Sequence, residues 1–496
     1  MKIRKINWKK WTIGASIILL AITLIIRLLD FAKITKYFPT DNINDISSYM
    51  AQLFFLDACG FHQICQYWYN GFTAFLFTPP GWYWFAYPWY IISGDVKIAT
   101  FIAVIITLII AFVFIYKFGK HLNIKPWLRV LFFLIVFANA NAIRGFLRTG
   151  RPHEMLAWVW FIMLFWILLY YKDKKIDAKI YWTSLVFAAI ILTYVAVAIF
   201  AAMLFLGFVL CKKGSERFKA ISAAVIGFLL TTFWSIPYVI NLGDSVVTSL
   251  EQGRWLLMFQ KELLLKQAGA FIFPLIFVIL FYLMWKERKE KTTLYFFAPL
   301  IVLAIAFATR ITAFIPALKD IFPSPYFSLF IILGAYCLIQ IFNESKGNKM
   351  ILHIGVFAAI VISCSIALFY TVYFEVPNKE VQDLLELIPK IEERYALFGL
   401  PPSIYPKAIV AYAAIYHQKS TYNGHYIHVK NKEYKQEIEL LSQAHVNKDC
   451  KQFTEKMEIL ETTEVIGKES CSFFEQCGFS LKAENGGFCL YSQKAA

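Results

Sequence analysis

The stretch NAIRGFLRTGRPHEMLAWVW, residues 141–160, places a dense group of charged and titratable side chains between two long apolar runs. Its charged or titratable side chains are Arg144, Arg148, Arg151, His153 and Glu154. Such side chains are costly inside a lipid bilayer and are rare within membrane-spanning helices. Their role therefore depends on where the membrane-spanning segments around them begin and end.

The composition predicts a chain that crosses a membrane many times. The sequence is 59% hydrophobic and 18% aromatic, with a mean hydropathy of +0.57. Apolar runs of roughly 17–25 residues are typical of spanning helices, and they recur along most of the chain. We expect an all-α polytopic bundle of about eleven transmembrane helices, with one span pair broken near Tyr194. These lie near 11–29, 98–116, 127–141, 154–171, 180–194, 195–211, 219–240, 268–285, 293–309, 326–342 and 351–373.

The distribution of basic residues predicts the orientation of these spans. The segments assigned to the inner side carry 23 Lys and Arg, whereas the longer outer loops carry 11. The positive-inside rule then places the N-terminus in the cytoplasm and the C-terminal segment outside, in a multi-pass protein of the plasma (inner) membrane. Much of the net charge of +16 is explained in this way, so no nucleic-acid partner is predicted. The opening MKIRKINWKK and the run after it are interpreted as an uncleaved anchor.

Four regions follow from this topology. Residues 1–29 form the cytoplasmic N-terminus and the first span, and residues 30–97 form a long first extracytoplasmic loop with in-plane helices. Residues 98–374 form the transmembrane bundle. Residues 375–496 change in composition and predict a small soluble extracytoplasmic α+β domain, helical at first and then with short strands.

Cysteine usage agrees with an oxidising compartment outside. An even number of cysteines in the outer segments favours disulfides, although six free thiols are the alternative. Local pairs Cys59–Cys65 and Cys471–Cys477 would leave Cys450 with Cys489, but the spacing does not fix the pairing. Neither C-x5-C pair has the spacing of a zinc site.

Two acids near the start of the first outer loop are candidates for a general base. Asp41 and Asp45 are four residues apart, so they would share one face of a helix. Helix capping is an equally good interpretation of either residue, since Asp is a favoured N-cap. A carboxylate at the membrane surface could instead deprotonate an acceptor hydroxyl. Further along, the TPPG turn at 78–81 suggests a short in-plane helix that roofs a cavity.

The opening stretch becomes the second outer loop in this topology. Pro152 suits the first turn of the following helix, whose N-terminus favours an anion. The three arginines beside it have the fork geometry that matches phosphate oxygens. Gly145 and Gly150 let the backbone approach closely. The stretch therefore predicts a phosphate site, the alternatives being lipid headgroup contacts or pairing with Glu154.

Two further arginines are weaker candidates for the same cleft. Arg254 lies in SLEQGRWLLMFQKELL (249–264), which has the pattern of an amphipathic helix on the membrane. Arg310 lies in a Pro-rich outer loop (308–330). A surface role is favoured for both.

Several segments, in their order, resemble the GT-C superfamily of membrane glycosyltransferases. The resemblance covers the layout of nearly the whole chain. It is carried by YNGFTAFLFTPPGWYW (69–84), GRPHEMLAW (150–158), LTYVAVAIF (192–200), PSPYFSLF (323–330), NGHYIHV (423–429) and EQCGFSLKAENGGFCLYSQ (475–493).

The resemblance implies an enzyme that uses a polyprenyl-phosphate-linked sugar. An acid of the first outer loop would be the catalytic base, which corresponds to Asp41 or Asp45. Neither outer loop has an Asp-x-Asp motif and the chain has no Trp-Trp-Asp-Tyr-Gly segment, so an oligosaccharyltransferase is disfavoured and neither a metal nor another cofactor is indicated. Tyr194 replaces an expected histidine and Tyr326 an expected arginine. The donor contacts implied by the resemblance are Arg148, Arg151, His153 and Glu154.

We therefore predict a glycosyltransferase that moves a hexosyl or pentosyl group, with inversion, to a glycan, lipid or protein acceptor on the extracytoplasmic face. The alternatives are a non-catalytic transporter or flippase for a lipid-linked glycan and a binding subunit. A transporter is expected to carry charges near the membrane midplane. Arg27 is nearly the only charge within a predicted span, and it lies close to the span's outer end.

Overall fold

The computed structural model describes residues 8–41, 45–242, 264–316, 318–319, 321–344, 350–425 and 432–493. The chain forms two compact units. We call them the helical unit, which is Met1–Phe31, Val104–Phe233 and Leu250–Tyr373, and the mixed unit, which is Ala32–Ala103, Trp234–Ser249 and Phe374–Ala496.

The apolar helices make this a multi-pass membrane protein. Among the described residues, seven helices are long and apolar enough to cross a membrane, or nine if each of two bent helix pairs is one span. The long helices are Trp8–Phe31, Val96–Phe118, Pro152–Lys172, Leu264–Arg288, Lys291–Ala308, Pro323–Glu344 and Met350–Ser365, the last of which continues through the wide turn Ile366–Tyr370 as one apolar segment of 21 residues. The bent pairs are Pro126–Phe137 with Ala140–Arg148, at 45°, and Gly214–Leu229 with Thr232–Asn241, at 69°.

The expected count of eleven spans is not confirmed. The two remaining apolar helices, Trp182–Thr193 and Val195–Cys211, have 12 and 17 residues. Each is shorter than the seven helical segments counted above, which have 18 residues or more. The predicted break between them is confirmed, because Tyr194 is extended, with φ −160° and ψ 112°.

Two helices form the centre of the helical unit. In the most apolar windows of Pro152–Lys172 and Pro323–Glu344, 78% and 89% of the residues are buried. A close helix contact lies at Gly207, between Val195–Cys211 and Lys291–Ala308. A Cβ added to Gly207 would lie 2.1 Å from the backbone oxygen of Phe296, so only glycine fits.

A four-stranded sheet organises the C-terminal part of the mixed unit. Two short strands of the first loop, β1 Ile64–Cys65 and β2 Phe72–Thr73, form a separate antiparallel pair. The strands of the four-stranded sheet are β3 Tyr395–Phe398, β4 Glu464–Gly467, β5 Phe479–Asn485 and β6 Phe488–Gln493. Its strand order is β3-β4-β6-β5, in which β3 and β4 are parallel and the other pairs are antiparallel. The strands β5 and β6 form a hairpin whose turn is Gly486 and Gly487, both with positive φ. The sheet confirms an α+β character.

Helices surround this sheet. The predicted N-terminal helix of this segment is short, because the chain turns at Pro389 and continues as β3. One of the short strands predicted for this segment has the alternating pattern GHYIHVKN (424–431), which lies mostly in 426–431, outside the described residues. The helices are Lys379–Leu385, Pro406–His417, Lys432–Asn447, Cys450–Ile459 and Cys471–Gln476.

Three disulfides are present in the mixed unit. Cys59–Cys65 forms as expected. The predicted Cys471–Cys477 pair is wrong, because these residues flank one helix six positions apart and project from different sides of it. The pairs that form instead are Cys450–Cys477 and Cys471–Cys489.

Backbone hydrogen bonds join the first loop to the C-terminal segment within the mixed unit. The Thr421 amide donates to the Tyr67 carbonyl at 3.0 Å, and the Asn70 amide donates to the Thr421 carbonyl at 3.4 Å. Gly424 lies against the rings of Tyr69 and Trp68, where a Cβ would be 2.7 Å from Tyr69. The first loop and the C-terminal segment are thus packed as one body.

Candidate functional site

Two of the three arginines predicted to bind phosphate, Arg144 and Arg148, lie within one helical turn of the helical unit. Ile143–Arg148 is a single wide turn with π-helical hydrogen bonding. Within it Arg148 is buried, with 5% of its surface exposed, whereas Arg144 is exposed. A buried guanidinium requires compensation by an anion or by polar groups, so Arg148 is the more informative of the two.

The next turn begins the helix Pro152–Lys172, as the sequence predicts. Pro152 occupies the first helical position, and Gly150 has φ +69°, a conformation that glycine adopts without strain. Gly145 has no such requirement, since the nearest atom to an added Cβ is the Ser324 hydroxyl at 3.8 Å. Of the two glycines, only Gly150 has a backbone conformation that favours glycine.

Arg151, His153 and Glu154 lie close together at this helix start. The positive charge of Arg151 acts on both of the others. Glu154 is fully buried, and one of its carboxylate oxygens accepts from the Trp158 indole at 3.4 Å. The guanidinium of Arg151 also lies 5.4 Å from the centre of the Phe322 ring. The helix N-terminus and its arginine therefore form a cationic site with one buried acid.

Tyr194 and Tyr326, which replace an expected histidine and an expected arginine, have different surroundings. Tyr194, at the helix break, lies edge-on to the His153 ring at 4.9 Å. Tyr326 is fully buried and stacks on Phe307 at 4.2 Å, and its hydroxyl donates to the Leu318 carbonyl. Tyr194 thus positions a predicted site residue, whereas Tyr326 belongs to the core.

Arg27 is a residue of this region that sequence reasoning did not assign to the site. Its charge and that of Arg148 lie near enough to interact. Arg27 itself is held by the carbonyls of Ala367 and Thr371 and pairs with Asp30 at 3.4 Å. The sequence did offer one signal that could have identified Arg27, because it is nearly the only charged residue within a predicted span. Because backbone carbonyls surround its guanidinium, we regard it as a support for the helix ends.

Asp41 belongs to the mixed unit and is 5% exposed. It lines a cavity of about 200 Å³ together with Glu375, Asn378 and Ser403, among other residues. The lining offers carboxylate, amide and hydroxyl groups, which suit a hydroxyl-rich ligand.

Asp45 lies in a second polar cluster of the mixed unit. It is the N-cap of the helix Ile46–Ala58, without a side-chain cap hydrogen bond. The expected shared helix face of the two acids is wrong, because this helix begins only at Ile46. One Asp45 carboxylate oxygen lies 3.6 Å from Nε2 of His425, a buried residue that sequence reasoning did not select. His425 stands in the NGHYIHV segment, but only the tertiary fold brings it to Asp45.

Of the two weaker candidates, only Arg310 lies in the described part of the chain. Arg310 has φ +65° and precedes the short turn Ile311–Phe314 on a separate loop. Arg254 lies outside the described residues. In the described part of the chain, no three His, Cys, Asp or Glu side chains are grouped as metal ligands. The helix Gly81–Ser93 begins at the last residue of the TPPG turn.

No protein-family model matches this sequence, and no curated protein matches it. Solved structures match it in fold. An oligosaccharyltransferase of Archaeoglobus fulgidus, tethered to an acceptor peptide, aligns with a TM-score of 0.56 and 10% identity over 96% of this chain and 74% of that chain. The A. fulgidus oligosaccharyltransferase AglB in complex with an inhibitory peptide and a dolichol-phosphate aligns with a TM-score of 0.55 and 10% identity, over 91% of this chain and 70% of that one.

A second kind of enzyme shares this fold. The arabinofuranosyltransferase AftD from Mycobacteria aligns with a TM-score of 0.57 and 11% identity over 96% of this chain, which spans only 40% of AftD. Both similar proteins are GT-C glycosyltransferases. At such identities the likeness shows the fold, so the GT-C fold expected from the sequence is confirmed.

Proposed function

We propose that this chain is a membrane glycosyltransferase that moves a sugar from a polyprenyl-phosphate donor to an acceptor on the extracytoplasmic face. The observation that carries the proposal is the cationic helix start at Arg148–Pro152, in a chain whose fold is shared by two kinds of glycosyltransferase. One of them was solved with dolichol-phosphate. This chain has no Trp-Trp-Asp-Tyr-Gly segment, so we do not extend the oligosaccharyltransferase activity to it.

The arginines would hold the donor phosphate. Arg148 and Arg151 flank the N-terminus of the helix Pro152–Lys172, where the helix dipole also favours an anion. Arg144, at the exposed side of the same turn, would contact the same phosphate. His153, Glu154 and the loop residue Arg310 are proposed as donor contacts, as is Arg254. Guanidinium groups stabilise the leaving phosphate because its negative charge develops as the sugar departs.

An aspartate of the first loop would be the base. In the reaction, Asp41 or Asp45 takes the proton of an acceptor hydroxyl, and the hydroxyl oxygen forms a bond to the anomeric carbon. The bond from that carbon to the phosphate oxygen breaks, and its electron pair leaves with the polyprenyl phosphate. A single displacement of this kind inverts the anomeric configuration. The transferred sugar is a hexose or a pentose.

The test is the lipid that co-purifies with the detergent-extracted protein, identified by mass spectrometry. Wild type is compared with an Arg148→Ala/Arg151→Ala double variant and with an Arg151→Lys variant, which keeps the charge but not the fork. Arg217→Ala is the matched control, since Arg217 lies on a different helix of the same unit and donates to the Lys212 carbonyl.

A polyprenyl-phosphate sugar bound to wild type and to the control, and lost from the double variant, supports the proposal and identifies the donor. The same ordinary phospholipids in all four proteins would contradict it and favour a scaffold or transporter. Thermal melting of each variant shows whether the buried Arg148 is needed for folding, and Arg151→Lys keeps the test informative if it is.

A further inference from the structure

Three segments of the mixed unit build the cavity that Asp41 lines. Thr40 and Asp41 come from the first loop, residues 375–378 come from the segment before the helix Lys379–Leu385, and Ser403 comes from the loop after β3. The cavity has a volume of about 200 Å³. Pockets for drug-sized ligands have volumes of about 300–1,000 Å³ and mostly apolar walls. This cavity therefore suits one small polar group, of the size of a single sugar ring.

The charges of the lining exclude a phosphate. The two charged side chains are the carboxylates of Asp41 and Glu375, and no Lys, Arg or His is among the described lining residues. Like charges repel, so the donor phosphate is not a suitable ligand for this cavity. A calcium ion takes about 6–8 oxygen ligands, and the described residues contain no group of three acidic, His or Cys side chains that could hold a metal. A neutral ligand with hydroxyl groups is the remaining fit.

Ser403 contributes a hydrogen-bond acceptor. Its hydroxyl donates to the Glu380 carboxylate at 3.1 Å, and the Lys468 ammonium donates to the same carboxylate at 2.6 Å. The hydrogen bond from Lys468, with help from that of Ser403, lowers the pKa of the Glu380 carboxyl, which therefore stays ionised. A serine hydroxyl has one proton, so this contact leaves the Ser403 oxygen as an acceptor.

Asn378 contributes a hydrogen-bond donor. Its side-chain oxygen accepts from the Val381 amide at 2.9 Å and caps the helix Lys379–Leu385. The Pro377 carbonyl accepts from the Gln382 side chain at 3.1 Å, which holds the same turn in place. Because the cap engages the side-chain oxygen, a ligand in the cavity would meet the NH2 group of Asn378, which only donates.

This arrangement of acceptors and one donor matches the hydroxyls of a sugar. Each sugar hydroxyl donates one hydrogen bond and can also accept, so neighbouring hydroxyls need both kinds of partner. Carboxylates such as that of Glu375 make stronger hydrogen bonds to hydroxyls than neutral acceptors do. The Val376 and Val381 side chains add apolar surface, against which the C–H groups of a sugar ring can pack.

We propose that this cavity binds one sugar unit of a glycan acceptor, and that Glu375, Asn378 and Ser403 determine which sugar is accepted. The inference rests on the proposed function and names a glycan among the three kinds of acceptor. A lipid chain would need apolar walls, which this lining does not provide. The residues that select the acceptor thus lie in the C-terminal segment, whereas the donor phosphate would be bound by the arginines of the helical unit.

The experiment measures binding of simple sugars to the full chain in lipid nanodiscs, which avoid glycosidic detergents. The probes are methyl glycosides of common hexoses and pentoses, and binding is followed by saturation-transfer difference NMR. The variants are Glu375→Ala, Ser403→Ala and Asn378→Asp. Aspartate is also a favoured N-cap, so Asn378→Asp keeps the cap while an acceptor replaces the donor. Glu433→Ala is the matched control, because Glu433 is an exposed acid of the same unit that does not line the cavity.

We expect at least one methyl glycoside to bind wild type and the control equally. Its Kd should rise about tenfold or more in Glu375→Ala, because a hydrogen bond to a charged group is lost, and about two- to tenfold in Ser403→Ala. Binding that is unchanged in Glu375→Ala and Asn378→Asp would overturn the inference, as would the lack of binding of any methyl glycoside to wild type. Stabilisation of wild type by calcium chloride without glycoside binding would also overturn it and assign the carboxylates to a cation.

Lipid mass spectrometry of the same samples separates this inference from the proposed function. Glu375→Ala should keep a co-purifying polyprenyl-phosphate sugar, because the cavity does not bind phosphate. Glycoside binding that is lost in Glu375→Ala, in a protein whose wild type carries no such lipid, would support the sugar site and contradict the proposed function. A bound polyprenyl-phosphate sugar without glycoside binding would overturn this inference alone.

Discussion

Replacing Gly207 by alanine should destabilise the helical unit, and the free-energy cost follows from how close the added Cβ would lie to the backbone of Phe296. The new Cβ would lie 2.1 Å from the carbonyl oxygen of Phe296 and 3.0 Å from its carbonyl carbon. Both atoms belong to backbone, so the helices Val195–Cys211 and Lys291–Ala308 must separate by about 1 Å to restore normal contact. Overpacking of this kind costs about 1–3 kcal/mol. At about 2–4 °C per kcal/mol, the melting midpoint should fall by about 2–12 °C.

The assay is the thermal melting of the detergent-solubilised full chain, followed by size-exclusion chromatography after heating. Gly355→Ala is the matched control, because Gly355 is also within an apolar helix and nothing lies within 4 Å of an added Cβ. This control should be neutral or slightly more stable, since alanine favours helix over glycine. If Gly207→Ala melts at the wild-type midpoint, the two helices do not approach as closely as described.

Two further predictions concern the mixed unit. A non-reducing digest should yield cross-linked peptides for Cys450–Cys477 and Cys471–Cys489, whereas a Cys471–Cys477 peptide would contradict the fold. Burial, followed by the charge of a nearby lysine, lowers the pKa of His445 below its usual 6.5. The unfolded chain then binds this proton more tightly, so its contribution to stability is complete above about 6.5 and is lost as the pH falls below that value. The melting midpoint of His445→Gln should therefore fall less than that of wild type between about pH 7.5 and 5, and equal falls would refute this assignment.

The sequence was most informative where structure follows from neighbouring residues. Pro152 predicted a helix start because its ring suits the first turn. The break at Tyr194 was predicted from the length of the apolar run and is confirmed. The number of spans was harder to predict, because hydropathy measures how apolar a segment is and not whether it bends. A bend of 45° or 69° within an apolar run leaves its composition unchanged.

Contacts between distant parts of the chain were the least predictable. The pairing of Cys450 with Cys477 depends on how the helix Cys471–Gln476 presents its ends, which the spacing of cysteines does not encode. The approach of His425 to Asp45 depends on backbone pairing between residues 67–70 and 421–423. Periodicity describes one element at a time, so it predicts that such residues are polar and not that they meet. The roles of the arginines and aspartates in the reaction stay predictions until the variants are measured.

The packing of the first loop against the C-terminal segment also determines when this part of the protein can fold during biosynthesis. Asp45 leaves the ribosome about 380 residues before His425, which at about 5–20 residues per second is a delay of about 20–80 s. Throughout that interval residues 67–70 lack the segment 421–423 with which their backbone pairs, so this part of the loop stays unpaired during most of translation. A chain truncated before residue 421 can never complete it. The nascent protein thus completes the surroundings of Asp45 among its last folding events. Prematurely terminated products therefore lack the residues that surround the Asp45 carboxylate in the full chain.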